Sequence, residues 1–310
     1  MEQFVWTELY RPKTIDECVL PSAIRATAKS FVAQGDLPNM ILAGNPGMGK
    51  TTVASAMCRE LDVEPMFING SEENGIDTLR TKIKDFASAL SLDGKRRYII
   101  IDEADYLSAA AQPALRGIIE EMAKNCGFIL TCNYANRLIP ALHSRCTTLQ
   151  FVIPAEEKKK LMLATTDRLM AILKAEQIEA DEKLVIQLVK RYWPDMRRMV
   201  NEMQRACASG VLTPAVLGQS ADVEFGPLWD ALKTRNYGQA RQWIGQNADI
   251  DSPRFYRAVF DWLHDAAKPQ TLPSTIVLLA DYQYRAAFVA DQHVHLAALC
   301  LELMNAAEFK

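Results

Sequence analysis

Gly44-Asn45-Pro46-Gly47-Met48-Gly49-Lys50-Thr51 fits the pattern G-x-x-x-x-G-K-[ST]. Glycines let the backbone wrap closely, so that N–H groups turn inward to hold phosphate oxygens. Lys50 is placed to reach β and γ phosphates, and the Thr51 hydroxyl to sit on Mg²⁺. The flanks agree with this reading. Asn39-Met40-Ile41-Leu42-Ala43 is a short apolar run of the kind a buried parallel strand makes, and Val53, Met57 and Leu61 recur every four residues behind the loop. A strand, a glycine-rich turn and a helix therefore follow one another, with the positive helix end aimed at the phosphates. A glycine turn before an ordinary helix is the plain alternative, and both flanks argue against it.

The pattern repeats downstream. Pro65-Met66-Phe67-Ile68-Asn69 predicts a second buried strand, closed by Gly70-Ser71. Ile76, Leu79, Ile83, Phe86 and Leu90 then mark an amphipathic helix, with Arg80 and Lys84 one turn apart on another face. Arg97-Tyr98-Ile99-Ile100-Ile101 predicts a third strand running into Asp102-Glu103-Ala104-Asp105. Carboxylates at the C-terminal end of a parallel strand face the crevice where α/β ligands bind. There Asp102 would hold the Mg²⁺ shell and Glu103 would orient the attacking water. The alternative is a helix N-terminus rich in acids. Leu115, Ile118, Ile119 and Met122 predict the next helix, with Gln112 and Arg116 on its surface. Gly127 to Cys132 predicts a fourth strand ending at Asn133, whose amide either meets a γ-phosphate or a water, or simply closes a turn. Ile139 and Leu142 mark a short helix, Ser144-Arg145-Cys146 follows it, and Thr147 to Val152 predicts a fifth strand. Strands alternating with helices imply an α/β domain, a parallel sheet covered on both faces.

Composition sets the bounds. The 310 residues are 49% hydrophobic and 24% charged, as in a globular chain of two or three domains. No apolar run approaches the ~18 residues of a membrane span. Met1 to Trp6 lack the basic start and apolar stretch of a signal peptide. The seven cysteines are scattered, without a C-x-x-C pair. That argues against zinc and a disulfide framework, and points to a reducing cytoplasm. A net charge of −3 removes the simplest sign of a DNA-binding domain, strong basicity. Contact with nucleic acid would need a local basic stripe or several subunits acting together.

From Pro154 onward only helical spacings remain. Leu161, Thr165, Leu169 and Ile172 mark one helix, Leu184, Leu188 and Tyr192 a second, and Met196, Met199, Val200 and Met203 a third. Arg197 and Arg198 open that third helix against its dipole, which fits either a ligand or partner, or a solvated face. The stretch 210–218 reads as a linker. Five helices follow, at about 225–235, 238–246, 253–266, 272–290 and 292–308. His264, His293 and His295 lack acidic neighbours at metal spacing and read as structural.

Together these motifs resemble the clamp-loader branch of the AAA+ ATPases. The resemblance rests on Trp6-Thr-Glu-Leu-Tyr10-Arg11-Pro12, Gly44 to Thr52, Asp102 to Asp105, Thr131-Cys-Asn133, Ser144-Arg145-Cys146 and Pro194-Asp-Met-Arg197, in the family's order over about residues 5–200. Val19-Leu20-Pro21 and the short chain look most like the ATPase (large) subunit of tailed-bacteriophage loaders, with replication factor C small subunits next. Met48 stands where the family commonly has Thr.

The resemblance implies three domains: an AAA+ nucleotide-binding α/β domain over 1–153, a three-helix lid over 154–217 and an all-α collar for oligomerisation over 218–310. It implies ATP and Mg²⁺ as cofactors. Tyr10, Arg11 and Pro12 would line the adenine pocket. Gly44, Asn45, Pro46, Gly47, Met48, Gly49, Lys50, Thr51 and Thr52 would hold phosphates, Thr51 and Asp102 the metal through water. Glu103 would be the catalytic acid, Asn133 the first sensor and Arg197 the second. Arg145 would be an arginine finger placed into the neighbouring subunit's site. The implied activity is DNA- and clamp-stimulated ATP hydrolysis that opens a ring-shaped sliding clamp and places it on primer–template DNA. The implied partners are the clamp, the DNA and a five-membered ring of four ATPase copies plus one non-identical subunit, in the cytoplasm of a phage-infected cell. Arg80, Lys82, Lys84 and Arg116, near helix starts facing the ring's interior, are candidate DNA contacts or else an ordinary solvated face. The other reading is a different AAA+ machine, such as a helicase loader or remodelling ATPase.

Overall fold

A computed structural model describes residues 5–72, 75–88, 95–208, 210–213, 224–247, 250, 252–286 and 288–310. The chain forms two compact units, Met1–Leu217 and Gly218–Lys310. In the first, elements run α1 (Trp6–Leu9), α2 (Ser22–Ala33), β1 (Met40–Ala43), α3 (Lys50–Glu60), β2 (Met66–Asn69), α4 (Ile76–Ser88), β3 (Arg97–Asp102), α5 (Ala111–Glu121), β4 (Cys126–Cys132), α6 (Pro140–His143) and β5 (Thr147–Gln150), then α7 (Ala155–Ala175), α8 (Glu182–Tyr192) and α9 (Met196–Ala206).

The strands make one parallel sheet in the order β2-β3-β4-β1-β5. Side chains alternate across a strand, so each central strand feeds two cores. Ile41, Ala43, Ile99, Ile101, Phe128 and Leu130 pack on one face with Leu79 and Ile83 of α4 and Leu115 and Ile119 of α5. Met40, Leu42, Tyr98, Ile100 and Ile129 pack on the other with Ile24 of α2 and Val53 and Met57 of α3. Burial on both faces is why these strands read as unbroken apolar runs.

The sheet edges depart from the sequence reading. Strand β2 is not buried: only Ile68 is, and Phe67 is 50% exposed, because β2 has a neighbour on one side only. Strand β5, the opposite edge, stops at Gln150 rather than Val152. Beyond Ala43 its partner β1 turns into the glycine loop, so Val152 has no ladder to join and stands 66% exposed. Gln112 is not a surface residue of α5. It is buried, donates to the carbonyls of Leu107 and Arg137, and accepts from the Ile139 N–H.

Helices α7 to α9 enclose a separate core of Leu169, Val185, Leu188, Met199 and Met203, and Trp6 of the N-terminal arm is buried within it. The arm is therefore fixed to the lid helices, with the Trp6 N–H on Gln204 Oε1 at 3.0 Å. Leu212 also joins this core, so the linker reading of 210–218 fails at its start; residues 214–218 lie outside the described residues, as does Leu90.

The second unit holds α10 (Gly226–Lys233), α11 (Tyr237–Gln246), α12 (Ser252–Ala266), α13 (Leu272–Arg285) and α14 (Gln292–Ala306), around Leu228, Phe255, Val259, Leu299 and Leu303. Helix α13 ends at Arg285 rather than residue 290, since Phe288 is 75% exposed and burial does not reward further turns. His295 is buried and its Nε2–H donates to the Tyr282 carbonyl at 2.9 Å, a structural role.

All seven cysteines are buried and unpaired. Burial pushes the thiols up, Cys18, Cys58 and Cys300 to about 12 and Cys132, Cys146 and Cys207 to about 11. The thiolate is the nucleophile, so the folded chain should alkylate with iodoacetamide at pH 8 at least roughly a hundredfold more slowly than a free thiol. Mass spectrometry should show seven adducts only after denaturation. Rapid native labelling of Cys132 or Cys146 would contradict this packing.

Candidate nucleotide-binding site

Strand register builds the site. Ala43 at the end of β1 lies level with Cys132 at the end of β4. The loop and Asn133 therefore leave the sheet side by side, tied by the Gly44 N–H on the Cys132 carbonyl at 3.2 Å. The loop needs glycine where it turns. Gly47 and Gly49 sit at φ +72° and +84°, and a Cβ on Gly47 would stand 1.9 Å from Asp195 Oδ1. Gly49 is the N-cap of α3, which starts at Lys50, so the first helical N–H groups open toward the loop.

Lys50 is 8% exposed. Its Nζ donates to the carbonyls of Gly44 and Asn45, both at 2.8 Å, and to Asn133 Oδ1 at 2.9 Å. Burial pushes its ammonium below the ordinary range, while the Cys132 sulfur, Asp102 and Asp105 pull the other way. Thr51 Oγ1 donates to Asp102 Oδ1 at 2.6 Å, and the Thr131 hydroxyl donates to the same oxygen. The Glu103 N–H donates to Thr131 Oγ1 at 3.2 Å. Glu103 has φ +54°, a left-handed conformation that costs about 1–3 kcal/mol in a non-glycine residue and turns it out of line with Asp102. Asp105 is buried. Its Oδ2 accepts the N–H groups of Asn133 at 3.2 Å and Tyr134 at 3.1 Å, and its Oδ1 has no partner.

A cleft runs from these groups to the lid. Pro46, Gly47, Met48, Gly49, Lys50, Thr51, Thr52, Asp102, Glu103 and Asn133 line one wall, and Tyr10, Arg11, Pro12 and Arg197 another. Gly44 and Asn45 do not line it; they hold Lys50 through their carbonyls. The lid touches the loop directly, since the Met196 N–H donates to the Gly47 carbonyl at 3.1 Å and Asp195 caps α9 through the Arg198 N–H at 3.0 Å. Tyr10 Oη donates to Glu176 Oε1, and burial with that carboxylate pushes the phenol up to about 12. Arg168 donates to the Tyr10 carbonyl at 2.9 Å.

Arg145 lies outside this cleft. Its Nε donates to Glu120 Oε1 at 2.7 Å and its Nη1 to the Ala141 carbonyl at 2.8 Å. Hydrogen bonding to Arg145 holds the Glu120 carboxyl below its usual range. The basic residues proposed for DNA are not all at helix starts. Lys84 lies mid-way along α4, paired with Glu121 at 3.1 Å, and Arg116 mid-way along α5. Arg80, Lys82 and Arg116 are exposed.

The residues present fit a magnesium nucleotide. A glycine cradle at a helix N-terminus and a buried ammonium suit phosphate oxygens, and the Thr51–Asp102 pair presents the hard oxygen donors Mg²⁺ prefers. The sequence reading gave no role to Asp105, Thr131, Asp195 or Arg168. The first three stood inside quoted motifs; Arg168 stood in none and is placed by its contact with Tyr10, distant in sequence.

Comparison with known proteins places the chain in a family. Residues 40–153 match the family model for ATPases associated with various cellular activities (AAA), and residues 157–218 match that of the AAA+ ATPase lid domain of the sliding-clamp-loader large subunit. The chain is 33% identical to the sliding-clamp-loader large subunit of Enterobacteria phage T4, across 100% of this chain and 98% of that protein. It is 41% identical to the same subunit of Escherichia phage RB69 over 70% of this chain and 68% of that one. It is 31% identical to a replication factor C small subunit of Archaeoglobus fulgidus, across 99% of this chain and 100% of the relative. The Thermotoga maritima RuvB Holliday junction branch migration motor superposes with a TM-score of 0.53 at 16% identity, covering 82% of this chain and 79% of that one, which shows a shared fold.

Proposed function

We infer the function from one premise: the chain belongs to the AAA+ ATPases that form the large subunit of sliding-clamp loaders. It is an ATP hydrolase and a subunit of a multi-subunit loader that acts on a sliding clamp and DNA. In finer detail, our reading is a ring of four copies with one non-identical subunit, at a cytoplasmic replisome of a phage-infected cell. ATP binding assembles the ring around an opened clamp on primer–template DNA, and hydrolysis releases it. The chain divides into a nucleotide-binding domain (1–153), a lid (154–217) and a collar (218–310).

In this reading each site residue has a role. Tyr10, Arg11 and Pro12 face the base, and the loop from Gly44 to Thr52 surrounds the phosphates. Mg²⁺, held by Thr51 and through water by Asp102, would neutralise charge on the β and γ phosphates. Glu103, turned out of line with Asp102, polarises the attacking water. Asn133, already bonded to Lys50, senses the γ phosphate from the sheet side and Arg197 from the lid side. Phosphoryl transfer needs positioning and charge neutralisation more than covalent chemistry. The carrying observation is that these groups converge on one cleft while Arg145 is held outside it by Glu120. A chain with its finger outside its own cleft completes catalysis only beside a neighbour.

The test is ATP turnover by the chain alone, by the assembled loader, and by the loader with clamp and primed DNA. Turnover should be low alone and rise at each addition. Full-speed hydrolysis by the isolated chain, indifferent to clamp and DNA, would overturn the reading.

A further inference from the structure

The segment that leaves the nucleotide cleft at Asn133 is the segment that delivers Arg145. Asn133 Oδ1 accepts from Lys50, and the next residues turn through Ala135–Arg137 before α6. Helix α6 has only four residues, Pro140–His143, too short to hold its own conformation. Something else must fix it. At its start, the N-cap Ile139 is held by Gln112. At its end, half-buried His143 turns back and its Nε2–H donates to the Ala135 carbonyl at 2.9 Å. Arg145 departs two residues later, its own N–H on the Leu142 carbonyl and its Nη1 on the Ala141 carbonyl. Its guanidinium is thus referred to α6, and the end of α6 is referred through His143 to the turn beside Asn133.

We propose that His143 is a positioning residue for Arg145: its Nε2–H to Ala135 O bond joins the phosphate-sensing turn of one subunit to the finger offered to the next. This rests on the trans role of Arg145 given above. The same turn is anchored from the other side, where Asp105 takes the N–H groups of Asn133 and Tyr134. Turn, α6 and the Arg145 backbone are thus joined by hydrogen bonds, while the guanidinium is held in addition by Glu120 of α5. A finger displaced by about 1 Å loses on the order of a hundredfold in rate.

The test uses the full chain in the assembled loader with clamp and primed DNA. His143→Leu removes the donor at similar bulk; His143→Gln keeps an N–H at similar reach. Leu should lower stimulated kcat at least roughly tenfold with KM for ATP within about twofold, and Gln should restore most of the loss. A second measurement separates a positioning role from damage to the variant's own site. Loaders assembled from His143→Leu and Glu103→Gln chains place intact fingers beside intact sites, so turnover per His143→Leu subunit should rise above that of the pure variant. Full activity of His143→Leu, failure of Gln to rescue, or no gain in the mixed loader would each overturn the proposal. Arg145→Ala in the same assay separates the two levels. If it keeps full turnover, the trans-finger reading fails; if it loses turnover while His143→Leu does not, only the role of His143 fails.

Discussion

Arg145→Ala should leave ATP affinity nearly intact and lower the clamp- and DNA-stimulated turnover of the assembled loader by about 10³–10⁵-fold, the contribution of a finger supplied in trans. The expectation follows from where Arg145 sits. It contributes nothing to the wall of its own cleft; its partners are Glu120, the Ala141 carbonyl and Ser144 Oγ. Glu120 is about half exposed, so once unpaired it is solvated, and the substitution should leave the melting temperature nearly unchanged. Nucleotide affinity by a fluorescent analogue and turnover by phosphate release check the two halves separately. Unchanged stimulated turnover would remove the finger assignment. A parallel loss of affinity would place Arg145 in its own subunit's site.

Lys50→Ala should act in the opposite place, abolishing nucleotide binding by the isolated chain as well as by the loader. The three N–H groups of this buried ammonium go to two loop carbonyls and Asn133, and phosphate oxygens would replace them as acceptors; without the ammonium the phosphates lose the one side-chain cation of the loop. Burial lowers its proton affinity, and an arriving anion acts the other way by favouring the charged form. The substitution also leaves Asn133 Oδ1 without its donor, which loosens the sensor. Calorimetric titration with ATP, beside a melting curve to show an intact fold, measures the effect. Retained affinity would sink the reading of Gly44 to Thr51 as a phosphate loop.

Much of this was legible along the chain because the chemistry is local. Glycines at fixed spacing before Lys50 and Thr51, an apolar run ending in Asp102 and Glu103, and a helical period behind each loop are properties of neighbouring residues. Backbone geometry converts them directly into a strand, a turn and a helix. The sequence by itself thus determined the α/β order, the change to helices after Pro154 and which residues are candidates for phosphate chemistry.

Tertiary structure decided what depends on residues far apart. Nothing in the spacing of Gln112 marked it as buried. It is buried because Arg137 and Ile139, twenty-five and twenty-seven positions on, bring a carbonyl and an N–H to its amide. Asp195 against Gly47, Arg168 on Tyr10 and Thr131 on Asp102 are likewise contacts between elements, as is the edge position that exposes Phe67. A hydrogen bond or a packed face between distant segments exists only once the chain has closed on itself, so these partners belong to the fold and not to any single stretch of it.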